Sequence, residues 1–544
     1  MDDTVAPASA PGADSPLGPD VALAAEPPEQ VRALSSQAYR ALADEDWTAA
    51  VDLIEANWGL MASYRLDVVR AVADALPDEL VVERPRWATV RRFVSHILMS
   101  AATRPPMYVR SGILSTRGTP LDDFTNVIEG SIAARSRGDN DAVWRFVDDA
   151  VRIARTQDLG ILPGGRMLPT LLHQLGLSAE LAGREEVALD AFQRAYARSS
   201  ATGDLRAAVN AAAESALLHT LAGRREAASA WLDRHRLLTA VSPDLDRLRS
   251  TVHLADASRM FDALHFDEAR EVLEKTHTDA WPEHWTSVAA HRVLFDAYAG
   301  RTDTWALLSR LDSVAMEHAS TASGMSFNQY LLDYVRCTVL TFGGQFERAI
   351  AIINEADDFT GRRQSLAQRS LLRYLLGDFD DAARDADGVL AAMRRWPRGV
   401  VKALLVRAGV EWRHGNQGGA ADFYRQAIAI GLENQLLLSF AAIPHEDSLA
   451  IAALAFPEGA PDGLQQVLDV PHLFVPPVTV VEKLTPQEQR VLTELATGRT
   501  VVQAAARLGI SENTAKVHAR AIYRKLNVGS RAEVLAEASR RGLI

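Results

Sequence analysis

The sequence predicts an all-α chain, a long solenoid of helical hairpins followed by a four-helix C-terminal domain. Three observations predict it. A turn-and-restart pattern recurs through most of the chain at intervals of about 33 to 46 residues. No segment of that body alternates apolar and polar residues as a strand would. The last 60 or so residues carry four helix starts written in capping chemistry. With 544 residues the chain is too long for one core, so two to four domains are expected. Its 48% hydrophobic and 24% charged residues are ordinary for a folded soluble protein.

The N-terminal stretch, residues 1–30, is expected to be a disordered tail. It is rich in Ala, Pro and Asp (APASAPGADSPLGPD), a composition that cannot build a core. The first 31 residues contain no Lys or Arg, so they lack the basic start of a secretory signal. No apolar run approaches the roughly 20 residues that a membrane span requires. A cytoplasmic protein with no membrane partner is the expectation.

Residues 31–456 carry the repeat. Its turns can be read in LADEDWTAAVDLI, SRGDNDAVWRFV, LAGREEVALDAF, LAGRREAASAWL, ALHFDEAREVL, YAGRTDTWALL, GGQFERAIAII, LGDFDDAARDA and HGNQGGAADFY. The glycine, or the residue in its place, falls at 45, 138, 183, 223, 264, 300, 344, 377 and 415, and the first gap of 93 fits two units. Glycine ends one helix in a left-handed conformation, and alanine a few residues on lets the next helix approach closely. Such a period without strands indicates stacked α-hairpins. The motif G-x-F-x-x-A, at Gly377–Ala382 and Gly344–Ala349, resembles the second-helix start of tetratricopeptide repeats, although most units exceed their usual length.

Within the body, Trp47, Trp144, Trp231 and Trp305 fall in second helices, where they are expected to fill gaps between helices. The single cysteine, Cys337, excludes a disulfide framework within the chain and sits in an apolar run as a buried small hydrophobe. The 14 histidines are scattered, with His445 read as a turn residue. No H-E-x-x-H, G-x-S-x-G or clustered carboxylate–histidine set is visible, so no enzyme, cofactor or metal is expected. A concave solenoid face could bind a peptide or small effector, but no residue cluster marks where.

Residues 457–481 (FPEGAPDGLQQVLDVPHLFVPPV and beyond) are proline-rich and repeat-free, a linker by composition. Charge changes sign across it. The segment 482–544 has three Lys and eight Arg against six Glu, a net +5, which leaves −17 for the remainder of a chain whose total is −12. That asymmetry is expected when one module alone meets nucleic acid.

In the terminal module Thr485-Pro486 with Glu488, and Thr500 with Gln503, are capping boxes. Ser511 and Ser530 cap the third and fourth helices, and Gly498 and Gly509 stop the first and second. The tight Leu508-Gly509-Ile510 turn joins the second and third helices as a helix-turn-helix. On the third helix Ala515, Ala519, Ile522 and Leu526, spaced 4, 3 and 4, face the core. Asn513, Lys516, Val517, Arg520 and Arg524 then take the opposite face, with no acid expected to compensate its charge. Like charges at i, i+4 repel, and an exposed valine gains nothing unless it is contacted. This is the helix that would enter a major groove. Lys516 and Arg520 can donate to guanine edges or phosphates, and Val517 can meet a thymine methyl.

LTPQEQRVL, the Gly498 turn, GISENTAKVH, IYRKLNV and SRAEVLAEA together resemble the LuxR-type (GerE-type) DNA-binding domain of bacterial transcription regulators, over about 60 residues. The resemblance implies that Lys516, Val517 and Arg520 face bases and phosphates, and that Thr514 and Arg524 contact the backbone. With Asn513 and the basic Lys525 these form the candidate DNA-binding set. It also implies that the fourth helix, Arg531 to Arg540, pairs with a second copy in a homodimer on double-stranded DNA. Two departures from the family pattern are Ala515, where valine is usual, and Val501-Val502-Gln503, where a polar start often meets a phosphate. Solenoid plus tail resembles the large LuxR regulators, whose repeats couple an effector or partner protein to the DNA-binding end. Their ATPase is not expected here, because no G-x-x-x-x-G-K-[ST] occurs. The alternative is an interaction scaffold that docks a partner such as RNA polymerase without reading an operator; a sigma-type factor ranks lower, because helical repeats replace its promoter-melting region.

Overall fold

The computed structural model describes residues 28–98, 119–241, 245, 250–276, 284–300, 303–318, 324–355, 362–392, 395–479, 484–526, 528–540 and 543–544. Among these, every regular element is a helix. The tail expectation falls outside the described residues up to position 27, and the first helix already begins at Pro28.

All nine positions marked from the sequence as turns adopt left-handed backbone. Gly138, Gly183, Gly223, Gly300, Gly344, Gly377 and Gly415 have φ between 62° and 81°, and the non-glycines Glu45 and Leu264 have φ of 54° and 67°. The turn also builds the next helix start. At Gly138 the amide of Asp139 closes back on the Ala134 carbonyl, and the Asp139 carboxylate then caps the following helix at the Ala142 amide. Asp46 and Asn416 repeat that cap after Glu45 and Gly415. Backbone groups that a helix end would leave without partners are satisfied within three residues.

Each turn joins an inner helix to an outer one. The inner helices include Pro120–Ser136, Leu168–Leu181, Leu205–Ala222, Ser250–Asp262, Trp285–Tyr298, Ser326–Phe342, Arg362–Leu375 and Pro397–Arg413. Most of their residues are buried, as in Leu205–Ala222, where Ala208, Ala211, Ala212 and Ala216 are fully buried. The outer helices are amphipathic. Asn140–Thr156 buries one stripe of Ala142, Val143, Val147, Ala150 and Ala154 and presents charge on the other side. Ala349 and Ala382, the small residues of the G-x-F-x-x-A motif, are fully buried where hairpin partners cross.

Two expectations need correction. The 93-residue gap is not two regular hairpins in its described part; it contains the short helices Trp58–Tyr64, Leu66–Ala75 and Asp78–Glu83 before Arg86–Leu98. A buried ionic knot holds them, with Arg86 donating to both Glu55 oxygens at 2.8 and 2.7 Å and to Asp122 at 3.1 Å. The proline-rich segment is largely not a linker. Leu464, Val467, Leu473, Phe474 and Val475 join the core of the body, and His445 meets the Leu468 carbonyl at 2.8 Å. Five prolines restrict the segment without preventing apolar side chains between them from packing.

The inner layer closes on itself. Arg398, at the start of Pro397–Arg413, donates to Asp262 at 2.7 and 2.6 Å and to the carbonyls of Leu221 and Thr220 at 3.0 and 3.2 Å. Opposite, the Ser326 amide meets the Asn140 side chain at 3.3 Å. Cys337 lies in this layer, fully buried; burial pushes its thiol up to about 12, so it acts as a hydrophobe. Of the four tryptophans, Trp231 is buried edge-on against Tyr196, and Trp47 and Trp144 are half-buried. Trp305 departs from the expectation, 52% exposed with Arg348 beside its ring.

Candidate nucleic-acid interface and a chamber in the body

The C-terminal domain consists of Pro486–Ala496, Val501–Leu508, Glu512–Lys525 and Arg531–Arg540. Both capping boxes form, Thr485 with Glu488 and Thr500 with Gln503, and Ser511 accepts the Thr514 amide. Ser530 accepts the Glu533 amide, while Glu533 reaches back to the Gly529 amide. Gly498 and Gly509 are left-handed, at φ 87° and 67°. Val491, Leu492, Leu495, Ile522, Leu526, Val534 and Ala538 make a separate small core.

The third helix sits as its spacing predicts. Ala515, Ala519, Ile522 and Leu526 are buried, and Ala504 and Ala505 are buried on the preceding helix, so the pair can cross closely. Asn513, Thr514, Lys516, Val517, Arg520 and Arg524 are all exposed. Val517, at 55% exposure, is an apolar residue in the middle of that basic face.

Two residues differ from the sequence reading. Lys525 turns inward, its ammonium 2.7 Å from Glu488, where both side chains are largely buried. Although burial raises Glu488, the Lys525 ammonium and the Thr485 amide hold its carboxyl below the usual carboxylate range. Lys525 therefore braces the domain and leaves the candidate DNA face. Nor is that face free of acids, because Glu512 lies 2.6 Å from Lys516. Both partners are half-exposed, so the pair contributes little and a phosphate can replace it.

Residues 482–538 match the family of bacterial regulatory proteins, luxR family. The C-terminal module is a luxR-type helix-turn-helix domain. Similar sequences include a probable transcriptional regulatory protein, SgaR, of Hyphomicrobium methylovorum, 48% identical over 56 residues, covering 10% of this chain and 26% of the relative. A nitrate/nitrite response regulator protein homolog of Haemophilus influenzae is 53% identical over 51 residues, 9% of this chain and 24% of that protein. The probable transcriptional regulatory protein NarL of Mycobacterium tuberculosis is 37% identical over 65 residues, 12% and 30% respectively. The chain thus spans between 24% and 30% of these curated relatives, and the luxR-type domain accounts for the match. A solved TPR domain of P58(IPK) aligns with 64% of this chain and 96% of its own length, at 12% identity and a TM-score of 0.21, too low to bear on how the hairpins here are arranged.

In the body, closure of the inner layer leaves a partly open chamber of about 180 Å³. That is room for several water-sized groups. Its wall is aromatic, with Phe261, Phe295, Tyr298, Phe327, Tyr330, Tyr334 and Trp396. Burial pushes the Tyr298 and Tyr330 hydroxyls well above their usual range, so they stay protonated donors. His291 is held neutral by burial, with Nδ1 2.6 Å from the Ser287 carbonyl and Nε2 2.5 Å from the Ser258 hydroxyl. Among the charged lining residues, Arg398 is matched by Asp262 and Glu185 by Arg224, and burial raises the Glu180 carboxyl well above the usual carboxylate range. Lys402 instead meets neutral groups, the Gln368 amide oxygen at 2.7 Å and the Tyr334 ring at 5.3 Å. Sequence reasoning did not find this chamber. The one local signal was Phe327, Tyr330, Leu331 and Tyr334 at i, i+3, i+4 and i+7 on a single helix.

Proposed function

We propose that the protein is a sequence-specific DNA-binding transcriptional regulator whose third C-terminal helix reads the major groove. The observation that carries this is the exposed face Asn513, Lys516, Val517, Arg520 and Arg524 over a buried seam of Ala515, Ala519, Ile522 and Leu526. Lys516 and Arg520 are assigned to base edges or phosphates, Val517 to a thymine methyl, and Thr514 and Arg524 to the backbone. A homodimer on DNA through the Arg531–Arg540 helix is part of the proposal.

The body is assigned the sensing role, with the chamber as effector site. Stacking surfaces, protonated tyrosine hydroxyls and the neutrally partnered Lys402 suit a small aromatic anion. The segment that leads to the DNA-binding domain runs alongside. Val475 borders a smaller cavity sharing Tyr298, Tyr334, Arg398 and Lys402 with the chamber, and the Thr479 amide bonds the Leu375 carbonyl at 2.8 Å. That continuity gives a filled chamber a route to the tail.

The test is operator selection from random duplexes with the full chain, followed by salt titration. If Lys516 or Arg520 reads a base, its replacement by Ala is expected to cost about 1–3 kcal/mol; if it holds a phosphate, the salt slope should fall by about 1. A folded double variant that binds the selected site with unchanged affinity and slope defeats the assignment. If the wild-type chain binds no duplex but retains RNA polymerase, the scaffold reading replaces it.

A further inference from the structure

We propose that Glu180, Glu214 and His284 form a divalent transition-metal site in the wall of the body, independent of the DNA-binding reading. The three come from three inner helices: Leu168–Leu181, Leu205–Ala222 and the start of Trp285–Tyr298. One ligand atom from each lies within 4.8 Å of the other two. His284 Nε2 stands 3.7 Å from Glu214 Oε1. Metal–nitrogen and metal–oxygen bonds of about 2.0–2.2 Å separate two tetrahedral ligands by roughly 3.4 Å, close to that spacing.

Burial makes this more than a chance gathering of acids. Glu180 is 1% exposed and His284 4% exposed. Among the described residues, both carboxyl oxygens of Glu180 and both ring nitrogens of His284 lack a hydrogen-bond partner. Each such atom costs about 1–3 kcal/mol when buried, so four in one place require a counterpart. A proton on Glu180 would satisfy one oxygen's charge but leaves the histidine unmet. The positive charge that bears on Glu180 is that of Arg135, whose guanidinium is directed to the Gln174 side chain at 2.9 Å and to Ser178 at 2.9 Å. A dication answers all three donors together, and the proximity of the Glu214 and Glu180 carboxyls then becomes an asset.

The other features of a working site are present. Thr251, from the helix Ser250–Asp262, donates to Glu214 Oε1 at 3.2 Å, the outer hydrogen bond that orients a ligating carboxylate. Glu180 lines the chamber, which supplies an entry path and a fourth position for water or an effector oxygen. One imidazole with two carboxylates suits zinc and its neighbours in the first transition row better than magnesium or calcium. The expectation that the chain holds no carboxylate–histidine cluster fails here because positions 180, 214 and 284 meet only in three dimensions.

The full chain, stripped with a chelator and dialysed, would be titrated with cobalt(II) alone and then with zinc(II) in competition. One equivalent of cobalt is expected, with the intense visible absorption of a four-coordinate ion, and zinc should displace it. Metal should raise the thermal midpoint of the wild type. Glu180→Gln should abolish that rise and the absorption, while its metal-free form melts no lower than metal-free wild type, because an amide replaces a buried carboxyl. Thr251→Val should weaken binding roughly 10–100-fold. If the wild type takes up no stoichiometric metal, or if Glu180→Gln and His284→Gln bind as the wild type does, the site does not exist.

Discussion

Replacing Arg398 with Met tests whether the body is a closed ring or merely a curved stack. The guanidinium makes two charge-assisted bonds to Asp262, and two more to the carbonyls of Leu221 and Thr220, across more than a hundred residues of chain. Asp262 keeps 7% of its side-chain surface exposed and Arg398 keeps 25%. Removing the cation isolates a buried carboxylate, a change that costs about 3–5 kcal/mol in fully buried pairs. Partial exposure of the arginine lowers the figure to about 3 kcal/mol by solvent screening. A helical-repeat body of this length is not expected to unfold in one step, so the readout must be local. Hydrogen exchange followed by mass spectrometry should show the amides around 223–224 and 400 opening roughly a hundredfold more readily, at one decade per 1.4 kcal/mol. The double change Arg398→Met with Asp262→Leu should restore most of the protection, because a buried ion pair can be replaced by apolar groups at little net cost. Wild-type exchange in the single variant would refute the clamp. A double variant as labile as the single one would refute the isolated-charge account.

Asp204 caps the helix Leu205–Ala222 at the Ala207 amide and accepts the Thr170 hydroxyl, yet burial pushes its carboxyl up to about 6. A raised carboxyl stabilises the fold below its unfolded value, and that contribution is lost as pH rises through 6. Asp204→Asn keeps a cap and drops the charge, so at pH 8 the amides of the helix Leu205–Ala222 should exchange more slowly than in wild type, by about 2–3 kcal/mol of local opening free energy as an upper figure, and converge with it near pH 4; faster exchange at pH 8 would count against this. Glu45 holds φ at 54° on an exposed turn where all the other marked hairpins except that of Leu264 use glycine. Glu45→Gly should stabilise the first hairpin by about 0.5–1 kcal/mol, seen as slower exchange of the Asp46 and Ala50 amides, whereas faster exchange would contradict it.

Local chemistry was legible in the sequence, because a turn or a cap is decided by residues that are neighbours in the chain. Every position marked as a hairpin turn is left-handed, including Glu45 and Leu264, where no glycine pointed the way. The DNA-binding domain was legible for the same reason, since a spacing of 4, 3 and 4 leaves one face for the core and one for solvent. Errors arose where a side chain's partner lay outside its own helix, as with Lys525 on Glu488. Composition misled at 457–481, since prolines limit backbone hydrogen bonding and say nothing about where Leu464 or Phe474 will pack.

By itself the sequence determined an all-helical body of hairpins, its turns, and a luxR-type tail with a basic face on one helix. Tertiary structure alone decided that the inner layer closes, through Arg398 on Asp262 and Ser326 on Asn140, and so that a chamber exists at all. It also decided which scattered acids and histidines meet, bringing Glu180, Glu214 and His284 together. The physical reason is range. Helix periodicity and capping act over three or four residues, whereas the curvature of a stack accumulates from small rotations at each hairpin, and no single repeat carries the sum.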